Sequence, residues 1–204
     1  MLYRNVVTPS TFNIFQNILE KECFQNFFLA GGTSLALQIG HRLSIDLDFF
    51  STQGYDVEKV KETLIQEFDA KILGLSNNSL TGLIKGVKVE FISHQYPLLQ
   101  KLVLIDNCRL ASIPDIAAMK INAVRNRGSK KDFVDLYFLL KRYQIQELLE
   151  FTNKKYPNHE NLMTLKSLLY FDQADSEPDP TFTNEPLNWQ EIKSFFQHKI
   201  TPLV

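Results

Sequence analysis

The spacing of apolar residues predicts alternating helices and strands in the first half of the chain. Apolar side chains recur close to a 3.6-residue period in residues 9–22, which predicts an amphipathic helix capped by Ser10 or Thr11. Shorter apolar runs bounded by turn formers predict strands. The further elements predicted in this half are a buried strand at 27–30, a helix at 33–39 closed by Gly40, a strand at 45–51, a helix at 56–68, and a β-meander of runs at 72–75, 80–84, 87–92 and 102–105.

From Pro114 onward the apolar pattern is helical. The stretch 172–188 differs, because it carries Pro178, Pro180 and Pro186 among acidic residues and therefore predicts an extended surface connection. The predicted helices cover 114–127, 130–142, 145–155 and 159–170, and a closing helix begins at Trp189. We therefore predict an α/β (α+β) fold with two domains, an α/β core of residues 1–113 with a mixed sheet and flanking helices, and a helical region of residues 114–204 that packs on it.

Composition narrows the class of protein. The chain has 204 residues, of which 44% are hydrophobic, and this is enough to bury a substantial core. A net charge of −1 argues against a protein that binds nucleic acid over its whole surface, although a local basic patch is compatible with it. The two cysteines, Cys23 and Cys108, match no metal-binding pattern. The chain shows neither a secretory signal nor an apolar run of about 20 residues, so we expect a cytoplasmic protein without a membrane span.

Residues 29–51 combine two features that suit phosphate chemistry. Gly31 and Gly32 allow the backbone to approach phosphates closely, and the free N–H groups at the start of the following helix favour an anion. Asp46 and Asp48 lie on one face of a predicted strand, where two carboxylates offer the hard oxygen ligands that Mg²⁺ prefers. Each feature alone is more often a simple turn or a solvated strand edge. Their order along the chain, however, places the aspartate pair next to the glycine turn.

The sequence GGTSLALQIGHRLSIDLDFF at residues 31–50 resembles the signature of the AbiEii/AbiGii toxin family, a branch of the nucleotidyltransferase superfamily related to DNA polymerase β. The resemblance covers roughly residues 10–200. It implies a nucleotidyltransferase fold and the transfer of a nucleoside monophosphate from a nucleoside triphosphate (NTP) to an acceptor, with Mg²⁺ or Mn²⁺ as cofactor. It further implies the toxin of a toxin–antitoxin or phage-defence pair, with RNA, and tRNA in particular, as acceptor and an antitoxin protein as partner.

The resemblance also implies roles for individual residues. The glycine turn and the hydroxyls after it would hold the triphosphate, and Asp46 and Asp48 would bind the metal. Glu90 is the candidate third metal ligand, and the alternative is an exposed strand residue paired with Lys88. The predicted nucleotide-binding residues are Gly31, Gly32, Thr33, Ser34, Lys120 and Arg125, and the predicted catalytic residues are Asp46, Asp48, Lys120 and Asp132.

Two of these candidates have structural alternatives. Helical projection places Lys120 within an apolar stripe, so its ammonium group either extends to water or points into a cleft. Asp132 follows Ser129 at the spacing of a helix-capping box and lies off the apolar stripe of its helix, where it is either solvated or functional. The family resemblance favours a cleft in which Lys120 neutralises triphosphate oxygens. The family pattern is matched here by His41, Arg42, Ser44, Lys120, Arg125, Lys131, Asp132 and Asp135.

A basic run without acids occupies residues 120–131. It either contacts the phosphates of an RNA acceptor or forms a solvated helix end, where cations complement the helix dipole. Two other functions remain open from the sequence: a non-catalytic module that binds a nucleotide or a partner with the same fold, and transfer to a protein or a small molecule. The cations of the run are Lys120, Arg125, Arg127, Lys130 and Lys131.

Overall fold

A computed structural model of the chain describes residues 1–183 and 187–204, which form two compact units. The first unit comprises residues 1–40 and 44–112, and the second comprises residues 41–43 and 113–204. Residues His41–Leu43 therefore belong to the helical unit, although their neighbours in sequence belong to the first unit. The packing of the helical region on the α/β core stays a prediction.

A mixed sheet with helices forms the first unit, as the sequence predicted. The described strands follow the order β3-β4-β5-β2-β1-β7-β6, in which the pairs β2/β5 and β1/β7 are parallel and the other pairs are antiparallel. The strands are β1 (Phe28–Leu29), β2 (Leu47–Ser51), β3 (Lys71–Leu75), β4 (Ser79–Ile84), β5 (Val87–Ser93), β6 (Val103–Ile105) and β7 (Cys108–Leu110), and the helices are α1 (Pro9–Glu20), α2 (Gly31–Ile39) and α3 (Val57–Phe68).

Two predictions for this unit need correction. The predicted four-run meander is confirmed for β3, β4 and β5, but the run at 102–105 forms β6 at the opposite edge of the sheet. There β6 pairs with β7, a three-residue strand that the sequence pattern did not predict because it is too short to show alternation. Helix α1 is capped by Thr8, whose hydroxyl accepts from the N–H of Thr11, rather than by Ser10 or Thr11.

Aromatic side chains fill the core of the first unit around Phe91 on β5. The ring of Phe91 stacks against Phe49 on β2 and against Phe24, with centroid separations of 4.9 and 5.0 Å. Phe27 meets the same ring edge-on at 5.2 Å. All four rings are buried, and such contacts add to the free energy gained by removing apolar area from water. The core thereby fixes β2 and β5 side by side.

The second unit is helical. Aromatic rings in its core pack around Phe133. The ring centroids of Phe171, Trp189 and Phe196 lie 5.0–5.9 Å from that of Phe133. None of the described helices is both long and apolar enough to cross a membrane. The helices are α4 (Ile113–Asn126), α5 (Lys130–Leu140), α6 (Ile145–Lys155), α7 (Asn161–Ser167), α8 (Asp172–Asp175) and α9 (Trp189–Ile200).

The predicted extended connection at 172–188 is only partly extended. It begins with the short helix α8, and its Phe182 forms an isolated antiparallel bridge with Arg42. The Glu177 carboxylate accepts from the N–H of Lys130 at 2.8 Å, which places a negative charge at the start of α5. Glu185 and Pro186, which belong to the same predicted connection, lie outside the described residues.

A buried ion pair joins α4 and α6. The ammonium group of Lys155 lies 2.9 Å from the carboxylate of Asp115, and both side chains are 2% exposed or less. A lone charge at either position would have lost its hydration without compensation, so the two residues depend on each other.

We expect Asp115→Ala to lower the free energy of unfolding by about 3–5 kcal/mol, because it removes the carboxylate that pairs with the buried Lys155 ammonium. Chemical denaturation measures this change. The double variant Asp115→Leu with Lys155→Met should recover most of the loss, since it removes both charges. The control is Glu67→Ala in the exposed Lys21–Glu67 pair, for which we expect a much smaller loss, because the charges of an exposed pair remain hydrated. An equally small loss for Asp115→Ala would contradict this account.

Candidate functional site

The glycine turn of the first unit joins β1 directly to α2. Helix α2 begins at Gly31, whose φ of +65° lies in the left-handed region, and it ends at Gly40, also left-handed. The N–H of Ala30, the residue before the helix, donates to the carbonyl of Asp48 at 2.9 Å. Strand β2 therefore returns beside β1, as the order of the sequence elements predicted, and brings Asp48 to the start of α2.

Gly31 and the Asp48 side chain approach each other more closely than any larger residue at position 31 would allow. A Cβ atom built on Gly31 would lie 2.6 Å from Oδ2 of Asp48, inside van der Waals contact. Glycine at position 31 therefore has two effects: it allows the left-handed backbone conformation, and it leaves space for the Asp48 carboxylate. Gly32, half-buried, is the second residue of the same helix.

Asp46 and Asp48 lie on the same side of the β2 segment. Both are half-buried, whereas Leu47 and Phe49 between and after them are buried, as expected for alternating side chains. Strand β2 begins at Leu47, so Asp46 immediately precedes it. The backbone at Asp46 is held by Thr33, whose buried hydroxyl donates to the Asp46 carbonyl.

The hydroxyls that follow the glycine turn are engaged inside the protein. The Thr33 hydroxyl also bonds the Ser44 hydroxyl at 2.7 Å. Ser34 is fully buried, and its hydroxyl accepts from the Gln38 amide at 3.2 Å. A phosphate contact would require Ser34 to become exposed and leave Gln38. The nucleotide-binding roles of Thr33 and Ser34 stay predictions.

Glu90 lies beside Asp48 on the neighbouring strand. The two residues are paired in register between the parallel strands β2 and β5, so their side chains share a face of the sheet. The Glu90 carboxylate also accepts from Lys88 at 3.3 Å, which is the alternative that the sequence left open. Among the described residues there is no group of three metal-ligating side chains, so a third metal ligand at Glu90 stays a prediction.

The second unit contains a buried cluster of charges centred on Asp135. Its carboxylate is fully buried and accepts two bonds from the Arg42 guanidinium, at 2.7 and 2.9 Å. His41 Nε2 lies 2.7 Å from the same carboxylate. Sequence reasoning assigned these three residues no separate role, because Arg42 and Asp135 are 93 positions apart and no local pattern pairs them.

Lys120 completes this cluster. Its ammonium group lies 2.6 Å from Asp135 and 2.8 Å from Asp132, and its side chain is 7% exposed. The Lys120 side chain does not extend to water, and its ammonium group faces two carboxylates. Burial opposes the charge on Lys120, yet the two carboxylates hold its pKa above the ordinary value. Its contact with a nucleotide stays a prediction.

Asp132 is buried rather than solvated, and its carboxylate accepts from three side chains. Lys120 donates at 2.8 Å, Arg127 at 2.9 Å and the Ser129 hydroxyl at 2.8 Å. The Ser129 bond is a contact between side chains and differs from the capping box that the spacing suggested. Although burial opposes ionisation, Lys120 and Arg127 lower the pKa of Asp132, so the carboxylate is a weak proton acceptor near neutral pH. A catalytic role for Asp132 stays a prediction.

The basic run at 120–131 is less exposed than its sequence suggests. Lys130 is buried and paired with Asp179 at 2.9 Å, which corrects the view of Lys130 as a surface cation. Arg125 is half-buried and bonds the His159 ring at 3.1 Å. Arg127 keeps a 63% exposed side chain despite its pair with Asp132, and Lys131 is exposed.

A mixed sheet with a glycine turn and an aspartate pair at its centre defines a protein of the nucleotidyltransferase class. The chain belongs to the AbiEii family, described as "Nucleotidyl transferase AbiEii toxin, Type IV TA system", whose model matches residues 14–101 and 87–202. A related protein from Aquifex aeolicus (strain VF5), named uncharacterized protein aq_aa25, is 35% identical over 181 residues, which are 86% of each chain.

Solved structures of the same fold come from two other bacteria. MenT4, a nucleotidyltransferase toxin from Mycobacterium tuberculosis H37Rv, superposes with a TM-score of 0.60 at 16% identity, over 93% of this chain and 81% of that one. A proposed nucleotidyltransferase from Helicobacter pylori superposes with a TM-score of 0.53 at 18% identity, over 97% of this chain and 99% of that one. At these identities the similarity shows the fold. The predicted fold class is thereby confirmed.

We expect Gly31→Ala to reduce nucleotidyl transfer about tenfold or more, because the new Cβ displaces the Asp48 carboxylate. Its left-handed backbone adds a stability loss of about 1–2 kcal/mol. The matched control is Gly86→Ala, since Gly86 has a φ of +84° but open space around its Cβ position. Transfer assays and thermal denaturation of both variants measure the two effects. Equal activity of the two variants would show that the contact with Asp48 is unimportant.

We expect the protein to lose stability as the pH falls from about 6.5 to 5. Burial lowers the pKa of His41, so the unfolded chain, with an ordinary histidine pKa of about 6.5, takes up protons first. His41→Gln should make this dependence shallower, by at most about 1.4 kcal/mol per pH unit. Denaturation at a series of pH values measures the slope. His159→Gln provides the comparison. Burial also lowers the pKa of His159, so this variant shows how much of the slope comes from His159 rather than from His41. An unchanged slope in His41→Gln would exclude a neutral His41.

Proposed function

We propose that this protein transfers a nucleoside monophosphate from an NTP to an RNA acceptor, with Mg²⁺ or Mn²⁺ held by Asp46 and Asp48. Family membership supports the transferase activity, and the metal, the nucleotide and the acceptor are parts of the proposal. The family is described as a toxin of a type IV toxin–antitoxin system, so an antitoxin protein is the expected partner.

The observation that carries the proposal is the close approach of Gly31 and Asp48. A Cβ atom at position 31 would lie 2.6 Å from Oδ2 of Asp48, so a side chain there would displace the carboxylate from the start of α2. A phosphate chain bound at the N–H groups of Gly31 and Gly32 would therefore lie beside Asp48.

The donor set of the first unit fits a divalent cation. Asp46 and Asp48 are half-buried carboxylates on one side of the strand, and Mg²⁺ is usually bound by one or two carboxylates together with substrate phosphates and water. When bound, the metal neutralises negative charge on the phosphate oxygens. Glu90 is in register with Asp48 on the neighbouring strand, and we propose it as a third ligand of this site, whereas Lys88 competes for its carboxylate.

The chain's own residues then act by positioning and by charge. Backbone N–H groups at the start of α2 orient the triphosphate, so that the acceptor hydroxyl attacks the α-phosphorus in line with the leaving pyrophosphate. In the second unit, Lys120 supplies a positive charge whose orientation is fixed by Asp132 and Asp135.

The test of the proposed function is a labelling experiment. The purified protein is incubated with each of the four labelled NTPs, with Mg²⁺ or Mn²⁺, and with total cellular RNA or total cellular protein. Label in RNA that depends on the metal supports the proposal. Label in protein or in a small molecule keeps the transferase activity and changes the acceptor. An absence of label in every fraction, together with retained nucleotide binding, would favour a non-catalytic binding module.

We expect Asp46→Asn and Asp48→Asn each to lower the transfer rate by at least about 100-fold, because metal binding contributes several kcal/mol to the transition state. Each variant should also bind Mg²⁺ more weakly in calorimetry, while unfolding changes by less than about 1 kcal/mol, since both side chains are half-exposed. Glu90→Gln is the informative comparison: a loss of similar size assigns the third metal ligand, and parent-like activity leaves Glu90 paired with Lys88. Full activity in either aspartate variant would rule out the proposed metal site.

A further inference from the structure

A pocket of about 380 Å³ opens in the second unit between the end of α4 and helices α7 and α8. Its volume is that of a site for a small ligand, about the size of one nucleotide. The Asp132 and Asp135 carboxylates that bind Lys120 are not part of its lining. The lining residues that matter here are Arg125, Arg127, Met163, Lys166, Ser167 and Tyr170.

The pocket is positively charged. It is lined by Arg125, Arg127 and Lys166 and by no carboxylate. Among the described residues, neither Arg125 nor Lys166 forms an ion pair with an acidic side chain, and only Arg127 does so. Arg125 instead bonds His159, whose pKa is lowered by burial and then by Arg125 itself, so that the ring stays neutral and leaves the arginine charge uncompensated. An unneutralised pair of cations in a chain of net charge −1 favours an anionic ligand.

An exposed aromatic ring borders the same pocket. Tyr170 is 63% exposed, and Met163 on the preceding helix is 48% exposed. In the described part of the chain, the Tyr170 ring has no aromatic neighbour. Its hydroxyl bonds the Asp172 carboxylate, which limits rotation of the phenol. An exposed ring beside cations is the combination with which proteins hold single-stranded nucleic acid, because bases stack on the ring while phosphates meet the cations.

We infer that this pocket binds a single-stranded end of the RNA acceptor, with a base stacked on Tyr170 and the adjoining phosphate held by Arg125 and Lys166. The inference rests on the proposed RNA acceptor and adds the residues that would bind it. The metal-bound NTP suits the pocket less well, because Mg²⁺ requires carboxylate or other hard oxygen ligands and no carboxylate lines this pocket. Double-stranded RNA suits it less well too, because stacking on a side chain requires an unpaired base.

The experiment measures binding of a short fluorescein-labelled single-stranded RNA by fluorescence anisotropy at several salt concentrations. Tyr170→Ala should weaken binding by roughly 5- to 150-fold, as the loss of one stacked base predicts, while Tyr170→Phe keeps the ring and should stay close to the parent. Lys166→Ala should reduce the slope of log affinity against log salt by about 0.7. The matched control is Lys154→Ala, because Lys154 is an exposed lysine of the same unit that does not line the pocket, and its slope should equal the parent's.

Labelling of total cellular RNA and calorimetric binding of NTP, measured on the same variants, separate this inference from the proposed function. If the parent labels RNA and all four variants bind RNA like the parent, the pocket inference is wrong and the RNA acceptor stands. If the parent neither binds nor labels RNA, the RNA acceptor fails and this inference fails with it. If Tyr170→Ala loses NTP binding and keeps RNA binding, the pocket holds the nucleotide and the inference is overturned.

Discussion

The second unit depends on the interactions that compensate the buried carboxylate of Asp135. A fully buried charge is tolerated only when its bonds to water are replaced, and here Arg42, His41 and Lys120 replace them. Burial opposes ionisation of Asp135, but these neighbours, with Arg42 first, hold its pKa well below the ordinary value. The cluster thereby fixes residues 41–43 to the helical unit and orients the ammonium group of Lys120.

The charged side chains of the second unit fall into two groups, those that form ion pairs inside the protein and those without an acidic partner among the described residues. Inside the protein, the ion pairs of Lys120 with Asp132 and Asp135 fix the geometry of these three side chains relative to one another. Arg125 and Lys166 have no acidic partner among the described residues, and they remain available to a ligand. The near-zero net charge of the chain therefore conceals a local surplus of positive charge, which is what a phosphate-binding surface requires.

In the first unit, the backbone positions the carboxylates. It must hold two carboxylates near the start of a helix that also attracts anions, and it does so by omitting a side chain at Gly31 and by pairing β1 with β2. The aromatic core under the sheet fixes β2 beside β5, and this register places Glu90 next to Asp48. The carboxylates are thus arranged by backbone pairing, whereas the cations of the second unit are arranged by side-chain ion pairs.

The sequence by itself determined the elements whose signals are local. Apolar periodicity predicted the helices other than α8 and the β3–β5 strands. The glycine turn followed by alternating Asp46 and Asp48 predicted the aspartate face. Each of these signals spans only a few neighbouring residues. The tertiary structure alone decided that β6 joins β7 at the far edge, that Ser34 is buried, that Lys130 pairs with Asp179, and that Arg42 meets Asp135. These outcomes depend on which distant residue compensates a buried charge or completes a strand pair, and no local spacing contains that information.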